Sequence, residues 1–317
     1  MLNKTNLKFG VIGVGSMGQN HARIYSEISN LEGVSDLNKE QLKIVSERYS
    51  TNAYSDYVEL LEQVDAVSIA VPTKYHFEVA HKAIKMGKHV LIEKPICDKT
   101  DKAKILVDLA KQKGTIIAVG HIERYNPVIS FVYEKLKNNY WGDIISLSSK
   151  RLSSYPARIK DVNIVYDLAI HDIDIISYLA NSDFSQGRLI SGNLSKSDLE
   201  DHASIQIEFS NGIKGMCEVS WLTPIKIREL CLNCTEAFVV VDYINQTVKT
   251  MKSTIEAEEK NLYRLNQEIY VANHSIVKKE PLKAEIMDFI NSVLRNSEPL
   301  VSGADGLKAL NIIELLK

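Results

Sequence analysis

Two short motifs carry side chains able to move a proton and to steady charge on an oxygen. The first is Glu93-Lys94-Pro95, directly after the apolar run His89–Ile92. A lysine at the carboxyl end of a buried strand points toward the crevice where ligands of open α/β sheets bind. Pro95 restricts the backbone of Lys94, and the Lys94–Pro95 bond is expected to be cis, aiming the ammonium inward. The second motif is Asp167-x-x-x-His171, inside a stretch from Tyr166 to Leu179 that reads as one helix. Asp167, His171, Asp174 and Tyr178 fall on one helical stripe, with Leu168, Ile175, Ile176 and Leu179 on the apolar face. An imidazole titrates near neutral pH and can take a hydroxyl proton, and a carboxylate one turn away can orient it or stabilise its cation. Taken alone, each motif also fits a solvated surface: a free lysine, and a polar helix face with acids near the helix start. A metal pair is disfavoured, because one histidine stands here without an obvious third ligand.

A glycine cluster indicates what such groups would work beside. Gly13-x-Gly15-x-x-Gly18 follows the apolar run Phe9–Val14 and opens a helical pattern. In that context Gly13 makes a tight turn, Gly15 lets the backbone approach a diphosphate, and Gly18 lets helix and strand pack closely. The turn residues Ser16 and Met17 lead into a helix N-terminus whose free amides and partial positive charge suit an anion. Asp36, at the end of the second strand, is placed to accept hydrogen bonds from ribose hydroxyls. It would repel a 2′-phosphate and no arginine follows closely, so NAD is expected over NADP. The loop Val71-Pro72-Thr73-Lys74-Tyr75-His76 follows the third apolar strand, at the same sheet edge. Val71, Thr73 and His76 are cofactor candidates there, although His76 equally reads as the start of a helix.

Two further clusters stay open or read as bland. Lys150, Arg151, Arg158 and Lys160 flank Ser153-Ser154-Tyr155-Pro156. They form either a solvated loop or a clamp for an anionic substrate, since the arginine fork matches phosphate oxygens. Cys231-Leu-Asn-Cys234 lies in a strand pattern, where residues three apart point to opposite faces. It is read as structural, not as a zinc or redox site.

The elements that must hold these residues fall into two groups. In the first, short apolar runs alternate with helical periods: strands at Phe9–Val14, Leu31–Leu37, Ala66–Val71, His89–Ile92 and Ile116–Val119, and helices at Gly18–Ile28, Lys39–Tyr49, His76–Met86 and Thr100–Lys113. That alternation predicts a doubly wound parallel sheet covered by helices on both faces. In the second, Ala203–Phe209 alternates apolar and polar residues, Asn211-Gly212 signals a hairpin, and Ile213–Trp221 alternates again. Ile227–Asn233, Ala237–Tyr243 and Gln246–Lys252 continue the pattern. This predicts an α+β domain with a large open, mainly antiparallel sheet. The boundary is expected near His121–Pro127, giving domains at residues 1–122 and 123–317, with the helical Gly303–Lys317 free to pack on either.

Composition narrows the function classes. The chain has 317 residues, 45% hydrophobic and 25% charged, enough for about two domain cores. A net charge of −2 leaves no basic excess for a nucleic-acid backbone. No run of about 18 apolar residues or signal-like N-terminus occurs, so no membrane span is expected. Four cysteines do not make a disulfide scaffold, and a reducing, cytoplasmic setting is the expectation.

The glycine fingerprint, Glu93-Lys94-Pro95, the run Gly120-His-Ile-Glu-Arg-Tyr-Asn126-Pro127 and Asp167-x-x-x-His171 occur in an order that resembles the Gfo/Idh/MocA oxidoreductases. The resemblance covers essentially the whole chain. It implies an N-terminal Rossmann domain, a C-terminal domain with a large open sheet, tight nicotinamide binding, and homodimers or homotetramers built through sheet faces. It assigns catalysis to Lys94, Asp167 and His171. It adds Glu93, Lys94 and Asn126 to the cofactor contacts, and puts Lys94, Arg124, Tyr125, Arg151, Arg158, Asp167 and His171 on the substrate. The segment from Arg158 to Asp174 resembles the branch acting on UDP-N-acetylglucosamine. Asn163 departs from it, where that branch would carry a glycine. The resemblance implies oxidation of a secondary sugar hydroxyl; inositol or free-sugar oxidation, reduction of a bilin, imine or dihydrodiol, and a silent NAD-binding regulator are the alternatives.

Overall fold

The computed structural model describes residues 6–155, 162–194, 199–257 and 265–317. It divides into two compact units: residues 1–124 with 280–314, and residues 125–279 with 315–317.

The first unit is built on a six-stranded parallel sheet. Along the chain run β1 (Lys8–Ile12), α1 (Gly18–Ile28), β2 (Asn30–Ser35), α2 (Lys39–Tyr49), β3 (Asn52–Tyr54), α3 (Tyr57–Gln63), β4 (Ala66–Ile69), α4 (His76–Lys85), β5 (His89–Ile92), α5 (Thr100–Lys113) and β6 (Ile117–Val119). The strand order is β3-β2-β1-β4-β5-β6. The order reverses between β1 and β4, and a ligand crevice opens at such a switch point. The predicted strands and helices recur within a few residues; β3 and α3 add elements too short for a periodic signal. β1 and β4 are almost wholly apolar because helices cover both faces.

The second unit begins with α6 (Pro127–Lys137) and β7 (Ile144–Leu152). A π-helical turn at Val165–Ala169 runs directly into α7 (Ile170–Ala180). Then come β8 (Phe184–Gly192), β9 (His202–Phe209), β10 (Lys214–Ser220), β11 (Ile227–Cys234), β12 (Phe238–Asp242), β13 (Thr247–Ala257) and β14 (Leu265–His274). They form one eight-stranded sheet in the order β14-β13-β12-β11-β7-β10-β9-β8. Every neighbouring pair is antiparallel except β7 with β10. The Asn211-Gly212 hairpin joins β9 to β10, and Gly212 takes the φ of +85° that such a turn requires.

The chain then returns to the first unit. α8 (Pro281–Arg295) and nearly all of α9 (Gly303–Leu315) belong with the parallel sheet: for α9 this is one of the two placements left open, whereas α8 departs from the division expected at 123–317. The physical reason is apolar complementarity. Ile286, Phe289, Ile290 and Val293 of α8 share one core with Phe9, Ile24 and Tyr25. Phe9 stacks on Tyr25 at 5.1 Å and meets Phe289 edge-on at 6.5 Å.

Candidate active site

In the first unit, the residues expected to hold the cofactor gather at the carboxyl edge of the parallel sheet. Gly13 adopts φ +84°, and a Cβ there would stand 2.8 Å from the backbone of Ala70 and Val71. A Cβ on Gly18 would stand 1.8 Å from the Gly13 carbonyl oxygen, so strand and helix approach more closely than any side chain allows. Gly15 is different: a Cβ there would meet nothing within 4 Å. Its surface is open, as a backbone that lies against a diphosphate must be. The helix beyond it has Met17 at its cap, no side-chain cap and no acid in its first turn. The Gln19 and Asn20 N–H groups already donate to the Gly15 and Met17 carbonyls at 3.1 and 2.9 Å, so what this helix start offers an anion is its partial positive charge. Asp36 accepts from Val14 N–H at 2.7 Å through Oδ2 and from Asn38 N–H at 2.8 Å through Oδ1. These bonds fix the carboxylate while each oxygen keeps acceptor capacity for a ribose hydroxyl. The residues present thus fit a dinucleotide, and NAD better than its 2′-phosphorylated form.

Thr73 starts a single 3₁₀ turn at Thr73–Tyr75, at the carboxyl end of β4. His76 is buried, and its ring bridges two main-chain oxygens. Glu93 turns its carboxylate inward. Oε1 lies 3.0 Å from His21 Nε2, and Oε2 accepts the Lys94 N–H at 3.2 Å. Burial pushes the Glu93 carboxyl up, but the His21 hydrogen bond and the charges of His21, Lys94 and His76 outweigh it and hold the group below the usual range. Lys94 follows at the end of β5, half-buried, and its bond to Pro95 is cis.

In the second unit, Asp167 and His171 stand on successive turns, both half-buried. The single regular helix expected over 166–179 is not what forms. Asp167 lies in the π-helical turn and His171 in the first turn of α7. The wider turn rotates Asp167 off the strict α-helical stripe, and such turns are frequent at functional sites. Asn163 sets the start of this segment: its Oδ1 accepts from Val165 N–H at 3.1 Å and Tyr166 N–H at 3.2 Å, and its Nδ2 donates to Glu200 at 2.8 Å. The residue that departs from the expected glycine is a helix cap. The polar face reading fails further along, since Asp172 and Asp174 are each only 1% exposed. Tyr178 stacks on Tyr133 at 4.7 Å.

Several residues expected to contact ligands have protein partners. Arg151 is 1% exposed and closes its fork on Asp172, with Nε–Oδ2 and Nη2–Oδ1 both 3.0 Å. It ties β7 to α7 rather than presenting a clamp. Arg124 is buried and paired with Asp305 at 2.9 Å. Asn126 is buried, caps α6 by accepting from Val128 N–H, and donates to the Tyr243 carbonyl at 3.2 Å. Tyr125 is buried. Lys150 is exposed and faces Glu218 at 3.7 Å. Arg158 and Lys160 lie outside the described residues. Cys231 is half-buried while Cys234 is buried, on opposite faces of β11, and both thiols are pushed up to about 11, chiefly by burial. Among the described residues no cluster of three or more His, Cys, Asp or Glu could hold a metal ion, and no helix is long and apolar enough to cross a membrane. The sequence reading passed over His21; its signal was a histidine on the buried face of α1, beside Gly18, Ala22 and Tyr25.

A parallel sheet with a glycine-turn dinucleotide cradle, followed by a large open-sheet unit, defines a nicotinamide-dependent oxidoreductase. The chain belongs to the GFO/IDH/MocA oxidoreductase family: residues 7–121 match its NAD-binding Rossmann-fold model and residues 132–240 match a model of its C-terminal domain. It is 30% identical over 305 residues to a UDP-N-acetylglucosamine 3-dehydrogenase of Acidithiobacillus ferrooxidans, covering 96% of this chain and 94% of that one. A solved structure of that enzyme superposes with a TM-score of 0.87 at 29% identity, over 96% of this chain and 95% of the other. A myo-inositol 2-dehydrogenase of Thermotoga maritima is 24% identical, with 96% and 93% covered.

Proposed function

We propose that this protein oxidises a secondary hydroxyl on the sugar ring of UDP-N-acetylglucosamine, giving the 3-keto sugar, with NAD as acceptor. The observation that carries this reading is the 30% identity to the UDP-N-acetylglucosamine 3-dehydrogenase over 96% of the chain. Lys94, Asp167 and His171 are all present along that length.

Bound at this cradle, NAD would supply the hydride acceptor for the oxidation. The chain's own residues do the rest. His171 removes the hydroxyl proton as general base. Asp167 orients the imidazole and stabilises its cation. The Lys94 ammonium donates to the same oxygen as negative charge grows there. Gly15, the uncapped start of α1 and Asp36 bind and orient the dinucleotide.

The test is a substrate panel followed by NADH absorbance: UDP-N-acetylglucosamine against UDP-glucose, free N-acetylglucosamine, glucose 6-phosphate and myo-inositol. The highest kcat/KM is expected for UDP-N-acetylglucosamine, with the product carrying its ketone at C3. A higher value for myo-inositol or an unactivated sugar would replace this substrate. NADH binding without turnover of any of them would make the protein a regulator.

A further inference from the structure

His76 opens α4 and is 1% exposed. Its Nδ1 lies 2.8 Å from the carbonyl oxygen of Pro95, and its Nε2 lies 2.8 Å from that of Val71. A carbonyl oxygen only accepts hydrogen bonds. A neutral imidazole has one N–H, so it would satisfy one carbonyl and turn a lone pair toward the other. The doubly protonated ring alone donates to both. We propose that His76 is a positively charged staple between the loops after β4 and β5, and that it is a positioning residue for Lys94.

The two carbonyls explain the consequence. Val71 lies just past the end of β4, and Pro95 directly follows Lys94. A ring fixed in α4 therefore holds both loops at once, with charge-assisted bonds stronger than neutral ones. The other flank of Lys94 is held independently. Glu93 N–H donates to Ile69 at 3.0 Å, and the Glu93 carboxylate accepts the Lys94 N–H. Behind that carboxylate, a buried chain runs from His21 to Ser68 Oγ at 3.1 Å and on to Tyr25 Oη at 2.9 Å. The main chain of Lys94 is thus pinned before and after its Cα. The Glu93 carboxylate, bonded to His21, also feels the His76 ring electrostatically, and a buried charge requires a neighbouring charge of opposite sign.

The staple stands on the structure alone; its bearing on turnover rests on the dehydrogenase reading. The charge is read by long-range ¹H–¹⁵N correlation on the full chain labelled with ¹⁵N-histidine, at pH 8, with His76 assigned by its loss in His76→Gln. Both ring nitrogens are expected in the protonated form, where an unperturbed histidine is neutral. A neutral tautomer overturns the staple. In His76→Gln, amide exchange across residues 93–97 should rise about tenfold while α4 stays protected. Unchanged exchange there likewise overturns it. On whichever sugar the wild type oxidises, turnover per NADH-binding site should fall about tenfold to a hundredfold. KM should shift by less than about threefold. A residue that only supported the fold would lower the number of NADH-binding sites and leave turnover per site unchanged, and that result would overturn the positioning role. A wild type that oxidises no sugar removes the dehydrogenase reading, and the nitrogen signature and exchange still decide the staple.

Discussion

Arg151 and Asp172 meet in a two-point ion pair, 3.0 Å at each contact, with both side chains 1% exposed. The guanidinium also lies over the Tyr243 ring at 5.5 Å. The pair joins the central strand β7 to α7, the helix that carries His171. Two buried charges are stable only together, so removing one partner leaves the other uncompensated. Asp172→Asn should therefore destabilise the protein by about 3–5 kcal/mol, whereas replacing both partners with Arg151→Met and Asp172→Leu should cost far less. Urea unfolding of the two variants checks this; equal losses would mean that the pair is not acting as a unit.

The same pair explains where sequence reasoning ran short. β7 carries Ser149 and Arg151 on its inward face, so the apolar–polar alternation that revealed β9 and β10 is broken there. Asp172 and Asp174 likewise interrupt the apolar face of α7. A rule that sends charge to the surface fails where the partner is supplied by a distant element. The glycine turn, Asp36 and the Glu-Lys-Pro strand end were legible because each depends on local backbone geometry. The partners of Arg151, Arg124 and Asn126 were not legible, because nothing local reveals Asp172, Asp305 or Tyr243 beside them. The π-helical turn under Asp167 was likewise invisible to a pattern that assumes 3.6 residues per turn.

The three fingerprint glycines separate into folding and binding roles. Gly13→Ala and Gly18→Ala both force a Cβ into backbone, and Gly13 adds a left-handed φ. Strain of that kind costs about 1–3 kcal/mol before the overlap is counted. Gly15→Ala meets no protein atom within 4 Å. Its melting temperature should match the wild type while NADH affinity, read by fluorescence titration, falls. Intact NADH affinity in Gly15→Ala would show that the diphosphate does not lie against this residue.

Asn163 makes a sharper point about the helix it caps. Asn163→Ala loses both amide contacts and should cost about 1 kcal/mol, while Asn163→Gly should cost only a few tenths for the cap itself. Because the cap lies one turn before Asp167, turnover should fall more in the alanine variant than in the glycine variant. Denaturation and steady-state kinetics on the same preparations test the ranking, and an alanine variant as active and stable as wild type would refute it.

Glu285 on α8 gives the protein a pH dependence of defined sign. Its carboxyl is buried, and neither oxygen has a hydrogen-bond partner among the described residues. Burial first, then the negative charges of Glu93 and Asp288, raises it well above the ordinary value. The native state therefore keeps a proton that the unfolded chain releases near its usual pKa of about 4.3. Stability is unaffected below that point and is lost as pH rises toward the native pKa, by about 1.4 kcal/mol for each unit of separation. Glu285→Gln removes the titration. Its unfolding free energy should match the wild type near pH 4 and exceed it increasingly toward pH 8. A difference that stays constant with pH would mean that Glu285 is ionised in both states.

The chemical reading makes a demand on two residues that belong to different units. If His171 removes a proton from the same oxygen that the Lys94 ammonium stabilises, each acts only while the other holds that oxygen in place. His171→Ala should lower kcat by about 10²–10⁴-fold. Lys94→Ala should lose about 2–4 kcal/mol of transition-state stabilisation. His171→Ala should not change NADH affinity more than slightly, since the residues proposed to hold the dinucleotide, Gly15 and Asp36 among them, lie in the other unit. The double variant should then fall well short of the product of the two single losses, because residues that work as one unit are strongly non-additive. Fully multiplicative losses would mean that the two groups serve different steps, and the shared-oxygen mechanism would have to be abandoned even if the sugar is correct.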